Sequence, residues 1–313
     1  MKDKIVRILH NPTLYVRTLC KMIQKYYLAH VNPKRLADLI YSETFGNEKS
    51  IDWNHPKDLN EKINWMKFNT DTSKWSYLAD KYAVRKYVKE KIGDDYLVPL
   101  LGMWSSPKDI DFSTLPNSFV LKSNNGAGTV MLVKDKSTMD ERLVRKTLAK
   151  WLRMRFGMMR AEPHYSKIVP KIIAESMLVN TNPISSSLID YKIWCFDGKV
   201  FGTWCCFNRS GFHADTEWHD LDWKFRPEWS KFTESYRNGN GRVPKPENYE
   251  QMLTIASKLS EGFPQVRIDL YNINGHIYFG EMTFTIAGGY VDFYSDEVLR
   301  EMGEKTVLNI ERI

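Results

Sequence analysis

Apolar positions near the start of the chain recur at helical spacing. Val16, Leu19, Met22, Ile23, Tyr26 and Tyr27 repeat at steps of three and four residues with Arg17, Lys21 and Lys25 between them, which predicts an amphipathic helix. Two readings of it stay open: a basic helix touching a membrane surface, or a helix packed on its own domain with its lysines solvated. A second helix is expected after Pro56, where Leu59, Ile63, Trp65 and Met66 alternate with charged residues. A third should run from Trp75 to Lys91 and stop at Gly93.

The period then changes. Phe119 to Lys122 and Thr129 to Val133 are short β-branched and aromatic runs, so they predict two strands joined by the loop Ser123-Asn124-Asn125-Gly126-Ala127-Gly128. Thr138 with Glu141 three residues later has the form of a capping box, predicting a helix towards Arg160. Lys171 to Glu175 is a strand, and a polar break follows through Asn180, Asn182 and Pro183. Tyr191 to Phe196 and Lys199 to Phe207 flank Asp197-Gly198, a hairpin signal, and Gln265 to Tyr271 and His276 to Met282 flank Asn274-Gly275. A helix is expected at Tyr249 to Glu261, whereas residues 211–242, aromatic, charged and irregular, predict long loops.

Composition narrows the class. With 313 residues, 42% hydrophobic and 13% aromatic, the chain can bury the cores of two or three lobes. Its formal charge of +7 favours anionic partners, but no helix-turn-helix, zinc-finger or RNA-binding signature accompanies it, so nucleic acid is not expected. Cys20, Cys195, Cys205 and Cys206 lack the paired spacing of a zinc site and are too few for a disulfide framework. No apolar run reaches the ~20 residues of a membrane span, and residues 1–40 lack a cleavable leader pattern. A reduced, cytoplasmic protein is the expectation, with the inner membrane face as the place the basic helix would reach.

Two segments carry chemistry. The loop Ser123 to Gly128 follows Lys122, and Gly126 and Gly128 allow positive φ and close backbone approach, so it suits either a polyphosphate or an ordinary hairpin turn. It is neither a Walker A loop nor a dinucleotide fingerprint. In the last hairpin, alternation puts Val266, Ile268 and Leu270 on one face and Arg267 and Asp269 on the other, while Glu281 shares a face with Thr283. Asp269 and Glu281 on adjacent strands suit Mg²⁺; the competing reading is a cross-strand salt bridge of Arg267 with Glu281.

Taken in order, Lys81 after Asp80, Val98-Pro99 and Gly102, Lys122 with its glycine loop, Glu175, Asp269 and Glu281 resemble the ATP-grasp superfamily over residues 75–295. Asp80 to Arg85, Phe119 to Gly126, Asp190-Tyr191-Lys192-Ile193, Glu281-Met282-Thr283-Phe284 and Leu59 to Trp65 resemble its TupA-like branch, found in bacterial surface-polysaccharide clusters. The resemblance implies an α+β fold of two lobes clasping ATP, at 73–176 and 177–313, after a helical extension at 1–72. It implies that Lys81 and Lys122 bind phosphates under the loop of Ser123, Asn124, Gly126 and Gly128, and that Glu175, Met177 and Leu178 meet adenine and ribose. Asp269 and Glu281 would hold Mg²⁺ and Arg267 would face the transferring phosphoryl group. Lys192 is a lesser nucleotide candidate beside its reading as a solvated strand lysine.

Two departures stand out. Thr283 occupies the place of the usual metal-binding Asn, and its neutral hydroxyl is a poorer ligand. The helical start also lacks the Rossmann-like pattern of many relatives. The implied activity is an ATP-dependent carboxylate-amine ligase working through an acyl phosphate on a surface polysaccharide, its capsule or its precursor, such as a uronic acid with an amino acid. Alternatives are a sugar phosphotransferase and a noncatalytic ATP-binding protein. Trp218, Trp223, Phe225 and Trp229 are read either as a sugar-stacking surface or as loop-core packing, and His213 and His219 are assigned no role.

Overall fold

A computed structural model describes residues 12–308; residues 1–11 and 309–313, including the opening of the 1–40 leader reading, lie outside the described residues. The chain starts with α1 (Pro12–Val31) and α2 (Pro33–Phe45). Asn32 separates them, accepting a 3.0 Å bond from the Arg35 amide ahead of Pro33, an N-cap with proline in the first turn. Leu28, Leu36, Ala37 and Tyr41 pack together against Ala161 and Tyr290. Helix α3 (Leu59–Asn69) opens with a full capping box between Asp58 and Glu61 and buries Leu59, Ile63, Trp65 and Met66. Its polar side reaches residues 288–291: Asn60 Nδ2 to Val291 O at 3.1 Å, Asn64 Nδ2 to Gly289 O at 2.8 Å and Lys67 Nζ to Gly288 O at 2.8 Å.

The helix expected from Trp75 to Lys91 is two helices, α4 (Ser73–Ala79) and α5 (Val84–Ile92). Asp80 makes the break, because its Oδ1 accepts the amides of Tyr82 at 2.8 Å and Ala83 at 3.1 Å. An aspartate that bonds the backbone two and three residues on favours a turn over helix continuation. Lys81 therefore sits in a turn rather than on a helix face.

Strands β1 (Leu100–Trp104), β2 (Phe119–Ser123), β3 (Val130–Val133) and β4 (Ile172–Ser176) form a four-stranded antiparallel sheet in the order β1-β4-β2-β3. Helix α6 (Glu141–Leu152) covers one face, packing Val144 and Leu148 on Phe119, Leu121, Ile172 and Ala174. Here the capping reading is corrected. Asp140, not Thr138, is the N-cap, accepting the Leu143 amide at 2.9 Å, and the helix ends at Leu152, well before Arg160. Thr138 is instead held in a 3-10 turn by its hydroxyl bond to Asp135 O.

The second sheet runs β10-β9-β5-β6-β7-β8, from β5 (Asp190–Phe196), β6 (Lys199–Ser210), β7 (His213–His219), β8 (Tyr236–Asn238), β9 (Val266–Ile273) and β10 (His276–Thr283). Both foreseen turns have positive φ, at Asp197 and Gly198 and at Asn274 and Gly275. Helix α7 (Tyr249–Ser260) backs the sheet and α8 (Asp296–Lys305) packs on α3. The expectation of loops throughout 211–242 fails, since β7 and β8 lie within it. Strand β7 disguises itself by burying polar side chains: Asp215 pairs with Arg237 and Arg242, and Glu217 accepts the amides of Arg242 and Val243. Trp218 and Trp229 are buried in the main core, which favours the packing reading of the aromatics.

Behind the β10 end, His164 is fully buried between Trp75 and Tyr165, and neither ring nitrogen has a hydrogen-bond partner. Burial, reinforced by the charges of Lys67 and Lys167, pushes its pKa down to about 3. The imidazole is neutral in the fold, so the unfolded chain binds the extra proton between its ordinary value and about 3. Stability is therefore complete above pH ~6.5 and is lost as pH falls below it. Going from pH 6.5 to pH 5 should cost ~2 kcal/mol from this group. Urea melts of the wild type and His164→Phe across that range should show a slope in the former that flattens in the latter; parallel slopes would exclude His164 as the source.

Candidate functional site

Lys81 links the two sheets. The Asp80 turn aims its Nζ at Gly126 O, 2.6 Å away, and at Glu281 Oε1, 3.3 Å away, so the lysine joins the glycine loop to the last hairpin. The loop itself is latched from below. Asn124, fully buried, donates to Asp80 Oδ2 at 2.8 Å and Val169 O at 3.1 Å and accepts the Lys171 amide at 2.7 Å. The Ser123 hydroxyl bonds Thr129 Oγ1 at 2.5 Å. Both side chains shape the loop and are committed to protein partners. The amides of Gly126, Ala127 and Gly128 make no backbone hydrogen bond among the described residues. The two glycines are there for different reasons. Gly128 has φ +76°, whereas a Cβ on Gly126 would lie 2.8 Å from the Phe156 ring.

Lys122 sits on β2 facing β4, where its Nζ donates to Glu175 Oε2 at 2.7 Å; Arg85, from the first turn of α5, approaches Glu175 Oε1 at 3.4 Å. Sequence reasoning missed Arg85, although its position four residues after Lys81 was visible. Met177 and Leu178, both half-buried, begin the connection from β4 to β5. The two sheets adjoin nearby, because the Phe279 amide of β10 donates to Tyr96 O at 2.7 Å and Leu97 bridges Phe279.

On the second sheet, β9 and β10 place Asp269 opposite Glu281 and Arg267 opposite Thr283, after an irregularity between Phe279 and Glu281 resets the register. Arg267 grips Asp269 through Nε at 2.6 Å and Nη2 at 2.8 Å, and Nη2 also donates to Thr283 Oγ1 at 3.1 Å. The expected face sharing is found, and the competing reading, a salt bridge of Arg267 with Glu281, is not: Arg267 turns to Asp269 and Glu281 turns to Lys81. Lys192 is no solvated strand lysine. It is buried on β5, directly across from Asp269, and ion-pairs with Asp269 and, at 3.6 Å, with Asp190. Burial opposes ionisation of Asp269, yet the charges of Arg267 and Lys192 outweigh it and hold its carboxyl below the ordinary range.

Beyond Lys192 the polar row continues to Asp190, which pairs with Arg209 at 2.6 Å. This pair was also missed; alternation from Lys192 to Asp190 was its signal. His213 and His219 belong to another environment, bonding Glu234 O and, for His219, Glu217 Oε2 and Trp223 O. Among the described residues no group of three or more His, Cys, Asp or Glu is placed to hold a metal. Asp269 and Glu281 stand opposite each other on adjacent strands, with both oxygens of Asp269 engaged by Arg267 and Lys192 and Glu281 paired with Lys81.

A family model described as TupA-like ATPgrasp matches residues 61–307. No curated protein matches the chain. It is similar to the solved D-alanine-D-alanine ligase from Bacillus anthracis complexed with ATP, at 14% identity over 66% of this chain and 54% of that one, TM-score 0.38. The L-amino acid ligase from Bacillus licheniformis shows 15% identity over 82% of this chain and 56% of that one, TM-score 0.44. An ADP complex of N5-carboxyaminoimidazole ribonucleotide synthetase shows 10% identity over 72% and 50%, TM-score 0.43. The chain thus spans about half the length of these solved proteins. Since the family model runs from within α3 to just past α8, taking in both sheets, the chain belongs to the TupA-like ATP-grasp family.

Proposed function

We propose that the protein is an ATP-dependent carboxylate-amine ligase that works through an acyl phosphate in the cytoplasm, where ATP is supplied. The observation that carries the reading is Lys81, which touches both the glycine loop and Glu281. Residues 73–176 and 177–313 act as the two lobes. Lys81 and Lys122 exchange their carboxylate partners for phosphate oxygens, the amides at Gly126 to Gly128 close over the phosphates, and the stretch Glu175 to Leu178 meets adenine and ribose. Arg267 is held in place by Asp269 and Thr283 and presents its remaining N–H groups to the transferring phosphoryl group. Asp269 and Glu281, with Thr283, would hold Mg²⁺, which neutralises phosphate charge when bound.

Such chemistry needs positioning and charge cancellation rather than a side-chain nucleophile. The substrate we propose is a carboxylate of a bacterial surface polysaccharide or capsule precursor, such as a uronic acid, joined to an amino acid or amine. Arg209, ending the charged row, suits an anionic donor. The test is mass spectrometry of reactions holding ATP and fractionated precursors. A ligase releases phosphate only with both substrates present and yields an amide; a phosphorylated sugar formed without any amine would establish the phosphotransferase instead.

A further inference from the structure

Helix α1 lies on the protein inside out. At about 100° per residue, Met22, Tyr26, Leu19, Ile23, Val16 and Tyr27 sweep an arc of about 140°, while Arg17, Lys21 and Lys25 lie on the opposite side. An amphipathic helix ordinarily buries its apolar arc. In α1 those six side chains are between 42% and 63% exposed, and the helix turns Leu28 and Lys25 to the protein instead: Leu28 is buried against α2 and Lys25 ion-pairs with Glu43, while Arg17 and Lys21 stay exposed. The apolar face runs from Val16 to Tyr27 along a helix of 20 residues, about 18 Å at 1.5 Å per residue. An exposed stripe of that extent marks a surface that meets something apolar.

Charge identifies the occupant. Residues 1–31 hold six Lys or Arg (Lys2, Lys4, Arg7, Arg17, Lys21, Lys25) against one acidic residue, Asp3, a balance of +5 within a chain total of +7. A second copy docking face to face would set these basic flanks against each other with no carboxylate on α1 to pair them. An anionic lipid surface pairs the exposed Arg17 and Lys21, and it accommodates Tyr15, Tyr26 and Tyr27 at the headgroup level, where an apolar ring with a polar tip is at home. We propose that α1 lies in the plane of an anionic bilayer, its apolar face among the acyl chains and Arg17 and Lys21 at the headgroups, holding the protein at the membrane without crossing it. No helix of the described residues is long and apolar enough to span one. This inference is independent of the ligase reading.

The test is sedimentation of the full chain with vesicles of phosphatidylglycerol and phosphatidylcholine, or of phosphatidylcholine alone. The wild type should bind the anionic vesicles about tenfold or more tightly than the neutral ones, and added salt should weaken the binding. The double variant Met22→Glu, Ile23→Glu should lose about tenfold or more, with an unchanged thermal midpoint because both side chains are exposed. A second variant, Arg17→Ala with Lys21→Ala, leaves the apolar face intact and should lose the preference for anionic lipid. Three results would overturn the proposal: wild type left in the supernatant with both vesicles, undiminished binding by the glutamate variant, or a dimer that this variant splits while neither form binds lipid.

Discussion

Replacing Glu281 with Gln should lower magnesium-dependent ADP formation by about 10²–10³-fold and leave the fold standing. The substitution keeps the shape and removes one of the two carboxylate charges that face each other across β9 and β10. What it removes structurally is slight. The Glu281 side chain is 25% exposed, and its ion pair with Lys81 spans 3.3 Å. Pairs of that kind contribute ~1 kcal/mol or less. Thermal midpoint and turnover should therefore separate cleanly, the first nearly unmoved and the second collapsed. Undiminished turnover in this variant would remove the metal assignment, whatever its stability.

Asp269→Asn should behave in the opposite manner, costing stability as well as activity. Asp269, Arg267 and Lys192 are each buried, and one carboxylate serves both cations. Taking its charge away removes the carboxylate that pairs with Arg267 and leaves Lys192 with Asp190 alone, 3.6 Å away, with little water to screen the two cations. Breaking a buried pair from one side costs ~3–5 kcal/mol, which should appear as a lower urea midpoint at unchanged slope. Lys192→Met added to Asp269→Asn should recover part of the loss, because the repulsion goes with the second charge. A loss under ~1 kcal/mol for Asp269→Asn would mean the three groups are better hydrated than their burial indicates.

Residue order and strand alternation pointed to the members of the candidate site, but not to their partners. Alternation put Arg267 and Asp269 on one face, as found, yet which carboxylate Arg267 takes depends on the reset between Phe279 and Glu281, and a one-residue change in register has no sequence mark. The helix expected across Trp75 to Lys91 looked continuous because the apolar spacing runs through it. What divides it is one aspartate bonding forward, a local competition that periodicity does not weigh. Strand β7 was missed because its buried face carries Asp215, Glu217 and His219, whose partners come from other segments of the chain. Gly126 was singled out for positive φ and for backbone approach to a ligand, but its φ is not positive and the group that crowds it is Phe156, distant in sequence.

The bonds from Asn60, Asn64 and Lys67 to residues 288–291 carry one more meaning. The stretch of chain immediately after Thr283 is moored to a helix that precedes both sheets. Residues 59–69 thus serve the second sheet as a keel, and a fragment trimmed of them would lose the ballast that keeps the segment after Thr283 on course.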